Sequence, residues 1–139
     1  MSDDAATFRR VPDEIFNAGN LDFIEEVFAD DYVEHAAPPG MPTDRSAVTM
    51  FVTAIRDAFA DFHYEILGQF QNGDMHVGWI RASGTMTGDF MGMPASGKSA
   101  TWDETLIGRF ADGKIAEHWA VIDQLGMLTQ LGFIPPMGG

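Results

Sequence analysis

Apolar residues recur along the chain first with a helical period and then with an alternating one. Ala5, Phe8, Val11, Ile15 and Phe16 fall close to the spacing of one helix face. Pro12 interrupts that run and predicts a fresh helical start or a kink. Asn17-Ala18-Gly19-Asn20 reads as a stop and turn. Leu21, Ile24, Val27 and Phe28 mark a short second helix, broken by Asp30-Asp31. Residues 32–35 are expected to be extended, and Pro38-Pro39-Gly40-Met41-Pro42 must be loop. The clearest helix spans residues 46–59, where Val48, Phe51, Val52, Ile55 and Phe59 form a stripe and Asp44 or Ser46 can cap the start.

Beyond residue 63 the period falls to two. Tyr64, Ile66 and Phe70 alternate with Glu65, Leu67 and Gln69, and Asn72-Gly73-Asp74 marks a turn. Val77, Trp79, Arg81, Ser83 and Thr85 share a strand face, and residues 88–97 form a loop of Gly, Met and Pro. Trp102, Glu104, Leu106 and Phe110 alternate again. A second turn at Asp112-Gly113 leads to Ile115, Glu117, Trp119, Val121 and Asp123 on one face. Leu125, Leu128 and Leu131 mark a closing helix stopped by Gly132 and Pro135, with a loose or exchanged tail after it. Helices followed by a strand meander predict one α+β domain over residues 1–139. Its sheet should be a strongly bent, cone-shaped antiparallel or mixed one, with the N-terminal helices over the concave face.

The 139 residues, 45% of them hydrophobic, suffice for one core with room for a pocket. The absence of cysteine excludes disulfides and thiolate chemistry. The polar start MSDDAATFRR is not read as a signal peptide, and no run reaches the roughly 20 apolar residues of a membrane span. A cytoplasmic protein is expected. A net charge of −13 repels phosphate backbones and anionic lipid, so neither nucleic acid nor membrane is an expected partner. No G-x-G-x-x-G, Walker loop, H-E-x-x-H or G-x-S-x-G occurs, and the four histidines lie far apart. No metal and no cofactor are expected. Carboxylate and histidine acid–base chemistry remains.

Asp123 ends an aromatic strand and precedes a helix, so it reads as a base, as an N-cap, or as both at once. Trp79, Trp102 and Trp119 fit core packing or a concave wall shared with Arg81, Glu104, Glu117 and Asp123. Met86, Met91 and Met93 are gap-fillers or a soft lip over an apolar ligand. His35 and His118 each follow a glutamate, but strand neighbours face opposite ways, so neither is a local dyad. His63 and His76, beside a strand start and a turn, are expected to be solvated. Ile107, Ala120 and Ile122 are placed on the outer sheet face, where a homodimer would cover them.

Four segments carry a resemblance that spans almost the whole chain: FADDYVEH at 28–35, GTMTGDFMGMPASGK at 84–98, DGKIAEHW at 112–119 and DQLGMLTQLG at 123–132. Together they resemble the SnoaL-like polyketide cyclases of the nuclear-transport-factor-2-like superfamily. The resemblance implies a cofactor-free enzyme closing a ring in a small hydrophobic or aromatic carbonyl compound by an aldol-type step. It gives the proton transfer at carbon to Asp123, with His35 and then His118 as donors to the enolate and Glu104 as a second acid, base or anchor. In that reading Trp79, Trp102, Trp119, Arg81 and the three methionines, placed by strand phase and residue type, form the substrate wall. Met86 stands where the family often has histidine, and Glu104 where it often has a small or apolar residue. These departures suggest a different substrate or proton relay. Isomerase, dehydratase or epoxide hydrolase chemistry, or ligand binding without turnover, are alternatives on the same scaffold.

Overall fold

The computed structural model describes residues 3–136. Helix α1 (Asp4–Arg10) passes directly into a π-helical segment, Val11–Asn17. Pro12 has no N–H to donate and lies in the first turn of that segment; the helix widens there instead of stopping. Phe8, Val11, Ile15 and Phe16 point into the core. Asn17 then ties the helix end to the sheet, because its amide donates to the Tyr64 carbonyl at 2.9 Å and accepts from the Tyr64 N–H at 2.7 Å. Arg56 donates to the carbonyls of Phe16 and Asn17 at 2.8 and 2.7 Å, satisfying the helix end.

A 3-10 turn (Leu21–Phe23) and a single α-helical turn, α2 (Ile24–Val27), lead into strand β1 (Phe28–Glu34). The helical run ends before Asp30 and Asp31, as expected. They belong to an edge strand that buries Phe28 and Tyr32 and turns its acids to water. Helix α3 (Arg45–Ala58) starts where Asp44 accepts from the Ser46 N–H at 2.9 Å, and it buries Val48, Val52, Ile55 and Ala58.

The strands β2 (His63–Asn72), β3 (Met75–Thr85), β4 (Ser99–Ala111) and β5 (Lys114–Ile122) form an antiparallel meander, and β1 adds to β5 in parallel. The order β1-β5-β4-β3-β2 gives the expected mixed sheet of a curled α+β fold, with the N-terminal helices against one face. Helix α4 (Gln124–Leu131) closes the chain, ending at Gly132 with φ of 90°.

The pleat decides which side chains share the interior. Cross-strand partners place Tyr64, Ala82 and Trp102 in one inward row, Ile80, Glu104 and Ile122 in the next, then Gly78, Leu106 and Ala120, and then His76, Gly108 and His118. Trp79, Arg81, Asp103, Ile107, Glu117, Trp119 and Val121 therefore point outward. The three tryptophans do not share a wall: Trp102 is buried, whereas Trp79 and Val121 are 45% and 67% exposed. Likewise Ile107 faces outward, but Ala120 and Ile122 face in. Two register shifts explain the departures from simple alternation. The one between Ile66 and Gly68 turns Phe70 out to water, and the one between Arg109 and Phe110 turns Ile115 inward while Glu117 stays outside.

Candidate active site

The buried polar and charged residues of the interior are His76, Glu104 and His118, all on the inward face of the sheet. Glu104 accepts the Tyr64 hydroxyl on Oε1 at 2.6 Å and the Trp102 indole N–H on Oε2 at 2.8 Å. Burial pushes its carboxyl above the ordinary range and prevails over those two donors. Burial also pushes the Tyr64 phenol far up, reinforced by the Glu104 charge, so Tyr64 remains a donor.

His118 is held from the opposite edge of the sheet. Parallel pairing sets Glu34 of β1 directly beside it, and the His118 Nδ1 lies 3.1 Å from both Glu34 oxygens. Glu34 also accepts from the Tyr32 hydroxyl at 2.8 Å and from the Ala36 N–H at 3.1 Å. Burial alone would raise the Glu34 carboxyl, but its bonds to His118, Tyr32 and Ala36 outweigh that and hold it below the ordinary value. A carboxylate on Nδ1 fixes the tautomer that leaves the Nε2 lone pair free. That Nε2 is buried and has no partner. The arrangement has the logic of a nucleophile-activating or proton-abstracting dyad: a base, a group that orients it, and an apolar surrounding.

The remaining expected site residues lie elsewhere. Asp123 is the N-cap of α4: its carboxylate accepts the Gly126 N–H at 3.0 Å and is exposed. His35 stacks on Trp119 at 4.7 Å and bonds Glu117 at 2.8 Å on the outside of the sheet. Arg81 pairs with Asp103 at 2.9 Å on the outer face, away from Glu104, and Trp79 donates to the same carboxylate at 3.1 Å. Met86 is wholly buried beside Phe59, Met93 packs at the core edge, and Met91 is 56% exposed. His76 is fully buried, not solvated, because β3 turns it under α1. Among the described residues, no three His, Asp or Glu side chains converge as metal ligands.

Two hollows adjoin the helices. An open cleft of about 490 Å³ lies between α2 and the start of α3, lined by Leu21, Asp22, Glu25 and Arg45, and none of the buried polar groups reaches it. The space between α1 and the sheet, lined by Phe8, Pro12, Gly78 and Leu106, is about 10 Å³. None of the three buried polar groups lines that space either; they are packed within the core on the inward face of the sheet. Glu34 and Tyr64 escaped the sequence reading. The alternation of β2 puts Tyr64 inward, a usable signal, whereas the Glu34–His118 contact depends on a parallel register across 84 residues.

Residues 6–131 match the family model described as SnoaL-like polyketide cyclase. The aklanonic acid methyl ester cyclase DauD of Streptomyces sp. (strain C5) is 32% identical over 126 residues, covering 86% of this chain and 76% of that protein. The nogalonic acid methyl ester cyclase of Streptomyces nogalater is 28% identical over 119 residues, covering 84% and 89%. The crystal structure of wild-type IdmH from Streptomyces antibioticus superimposes with a TM-score of 0.80 at 31% identity, covering 93% of this chain and 98% of that one. Among the described residues no helix is long and apolar enough to cross a membrane.

Proposed function

The chain belongs to the SnoaL-like polyketide cyclase family, and from that premise we propose that it closes a ring in a carbonyl-rich, planar polyketide ester, with His118 as the base. One observation carries the assignment: a buried imidazole oriented through Nδ1 by Glu34 and unpartnered at Nε2, on the same concave face as Glu104. Nε2 takes a proton from a carbon acidified by neighbouring carbonyls. The resulting enolate carbon attacks a ketone of the same molecule. A C–C bond forms, the ketone π pair becomes an alkoxide, and the alkoxide recovers the proton from the imidazolium. The product is an isomer of the substrate, and no electron leaves or enters. Glu104, its carboxyl raised by burial, holds the Tyr64 hydroxyl and the Trp102 indole on the same inward face as His118. Phe16 and Phe62 pack against the Tyr64 ring and keep that face apolar.

Asp123 is given no proton-transfer step, because its carboxylate is exposed and caps α4 through Oδ1. The outward strip of Trp79, Ile107, Trp119 and Val121 supports a homodimer through the convex face. A chain of 139 residues without cysteine suits a reducing cytoplasm. The test of the chemistry is His118→Gln, assayed with aklanonic acid methyl ester. Turnover falls by about 10²–10⁴, the effect of removing a positioned base, while the fold persists. A His118→Gln protein with wild-type kcat would refute the assignment.

A further inference from the structure

His76 has no part in that scheme, yet it is the most completely buried polar side chain. It is 0% exposed, and neither ring nitrogen has a hydrogen-bond partner. Its ring lies edge-on to Phe110 at 4.7 Å and tilted to Phe8 at 5.8 Å. A neutral imidazole always carries one donor and one acceptor. Burying both unpaired is unfavourable, and leucine or phenylalanine would fill an apolar space of this kind without that cost. A histidine here is explained by a partner that arrives from outside.

The sheet register shows where that partner would lie. His76 pairs across from Gly108, and Gly108 from His118, so two imidazoles flank a bare position about 10 Å apart, two strand spacings. Gly78 continues the bare strip along β3. A Cβ at Gly108 or Gly78 would come to 3.1 or 3.2 Å from the Phe8 ring. The two glycines thus make a floor of backbone with an aromatic ring already resting on it. That ring belongs to α1, the helix that closes the interior.

We infer that the strip of His76, Gly78, Gly108 and His118 is the seat of a planar, carbonyl-bearing ring. Phe8 is its resident occupant, displaced when α1 lifts, and His76 donates a hydrogen bond to a ring carbonyl. The chemical class of the ligand rests on the cyclase reading; the seat itself rests on the orphaned imidazole and the glycine floor. His76 fixes how the ring lies, and so which carbon meets His118.

The experiment measures binding of dihydroxyanthraquinone by tryptophan quenching, with turnover followed separately. His76→Leu folds at least as firmly as wild type, since it removes unpaired polar atoms, and its affinity drops about tenfold, the scale of one buried hydrogen bond. His76→Gln, which restores an N–H, recovers most of that loss. Phe8→Ala binds more tightly than wild type, because the competing occupant is gone; if it does not fold, Phe8→Leu gives the same direction. Bound dihydroxyanthraquinone shifts the ¹⁵N resonances of His76 in the intact protein. Unchanged affinity in His76→Leu, or unchanged His76 resonances at saturation, would overturn the inference, as would failure of the wild-type and Phe8 variants alike to bind. The His118→Gln result is read out in turnover alone, so the acid–base scheme stands or falls apart from the seat.

Discussion

Replacing Glu34 by glutamine tests the centre of the site with almost no change in shape. The Glu34 side chain is 15% exposed and accepts on both oxygens: Tyr32 and His118 on Oε1, Ala36 and His118 on Oε2. Whichever way the amide turns, its NH₂ faces a group that was donating. A hydrogen bond to a charged group contributes about 1.5–3 kcal/mol, and the other donors lose part of theirs, so a loss of about 2–3 kcal/mol is expected. For a domain of this size that lowers Tm by about 10 °C. The pH dependence has a definite sign. The Glu34 carboxyl is depressed in the folded protein, so its stabilisation is present above the ordinary value of 4.5 and fades as pH falls through the folded value. The Tm gap between wild type and Glu34→Gln is therefore widest near neutrality and narrows in acid. Turnover also falls, by at least about tenfold, because Nδ1 no longer selects the tautomer, but by less than loss of the base itself. Calorimetry from pH 7 to pH 3 with a parallel kcat measurement checks all three. Unchanged Tm and kcat at pH 7 would refute the coupling of Glu34 to His118.

Asp123→Ala should lower stability by about 1 kcal/mol, the scale of a lost N-cap, and Asp123→Asn by a few tenths, with kcat preserved in both. Thermal melts and initial rates decide this, and a folded Asp123→Asn protein without activity would return the aspartate to the mechanism. Sedimentation at micromolar concentration should give twice the 15.2 kDa chain mass, and Trp79→Lys with Val121→Lys should give monomer. A wild-type monomer would remove the convex-face interface.

Most of the architecture was legible because it follows from local rules. The period change at residue 63, the Asn72-Gly73 and Asp112-Gly113 turns and the Asp44 and Gly132 helix ends all stand in the structure. The length of β1 is not legible in the sequence, because Asp30-Asp31 looks like a breaker until a parallel neighbour makes it an edge. The site was less legible. Alternation tells that Trp79 and Arg81 share a face, but not which face is the interior; the cross-strand partners of Glu104 and Trp102 decide that. Glu104 and His118 were recognisable as acid–base candidates by residue type, whereas His76 was masked by its neighbouring turn. Asp123 was ambiguous in principle, since a strand-ending aspartate before a helix suits both a cap and a base.

The parallel seam between β1 and β5 also sets when the site can exist. Glu34 leaves the ribosome 84 residues before His118, roughly 4–17 s earlier at common synthesis rates. Throughout that interval β1 has no strand to pair with. The meander of β2 to β5 is made of neighbours in sequence and can zip locally. The first strand must then return across the whole chain, at the full entropic cost of closing that loop. The Glu34–His118 pair is thus among the last contacts to form, and a chain that has not completed its topology lacks the proposed base.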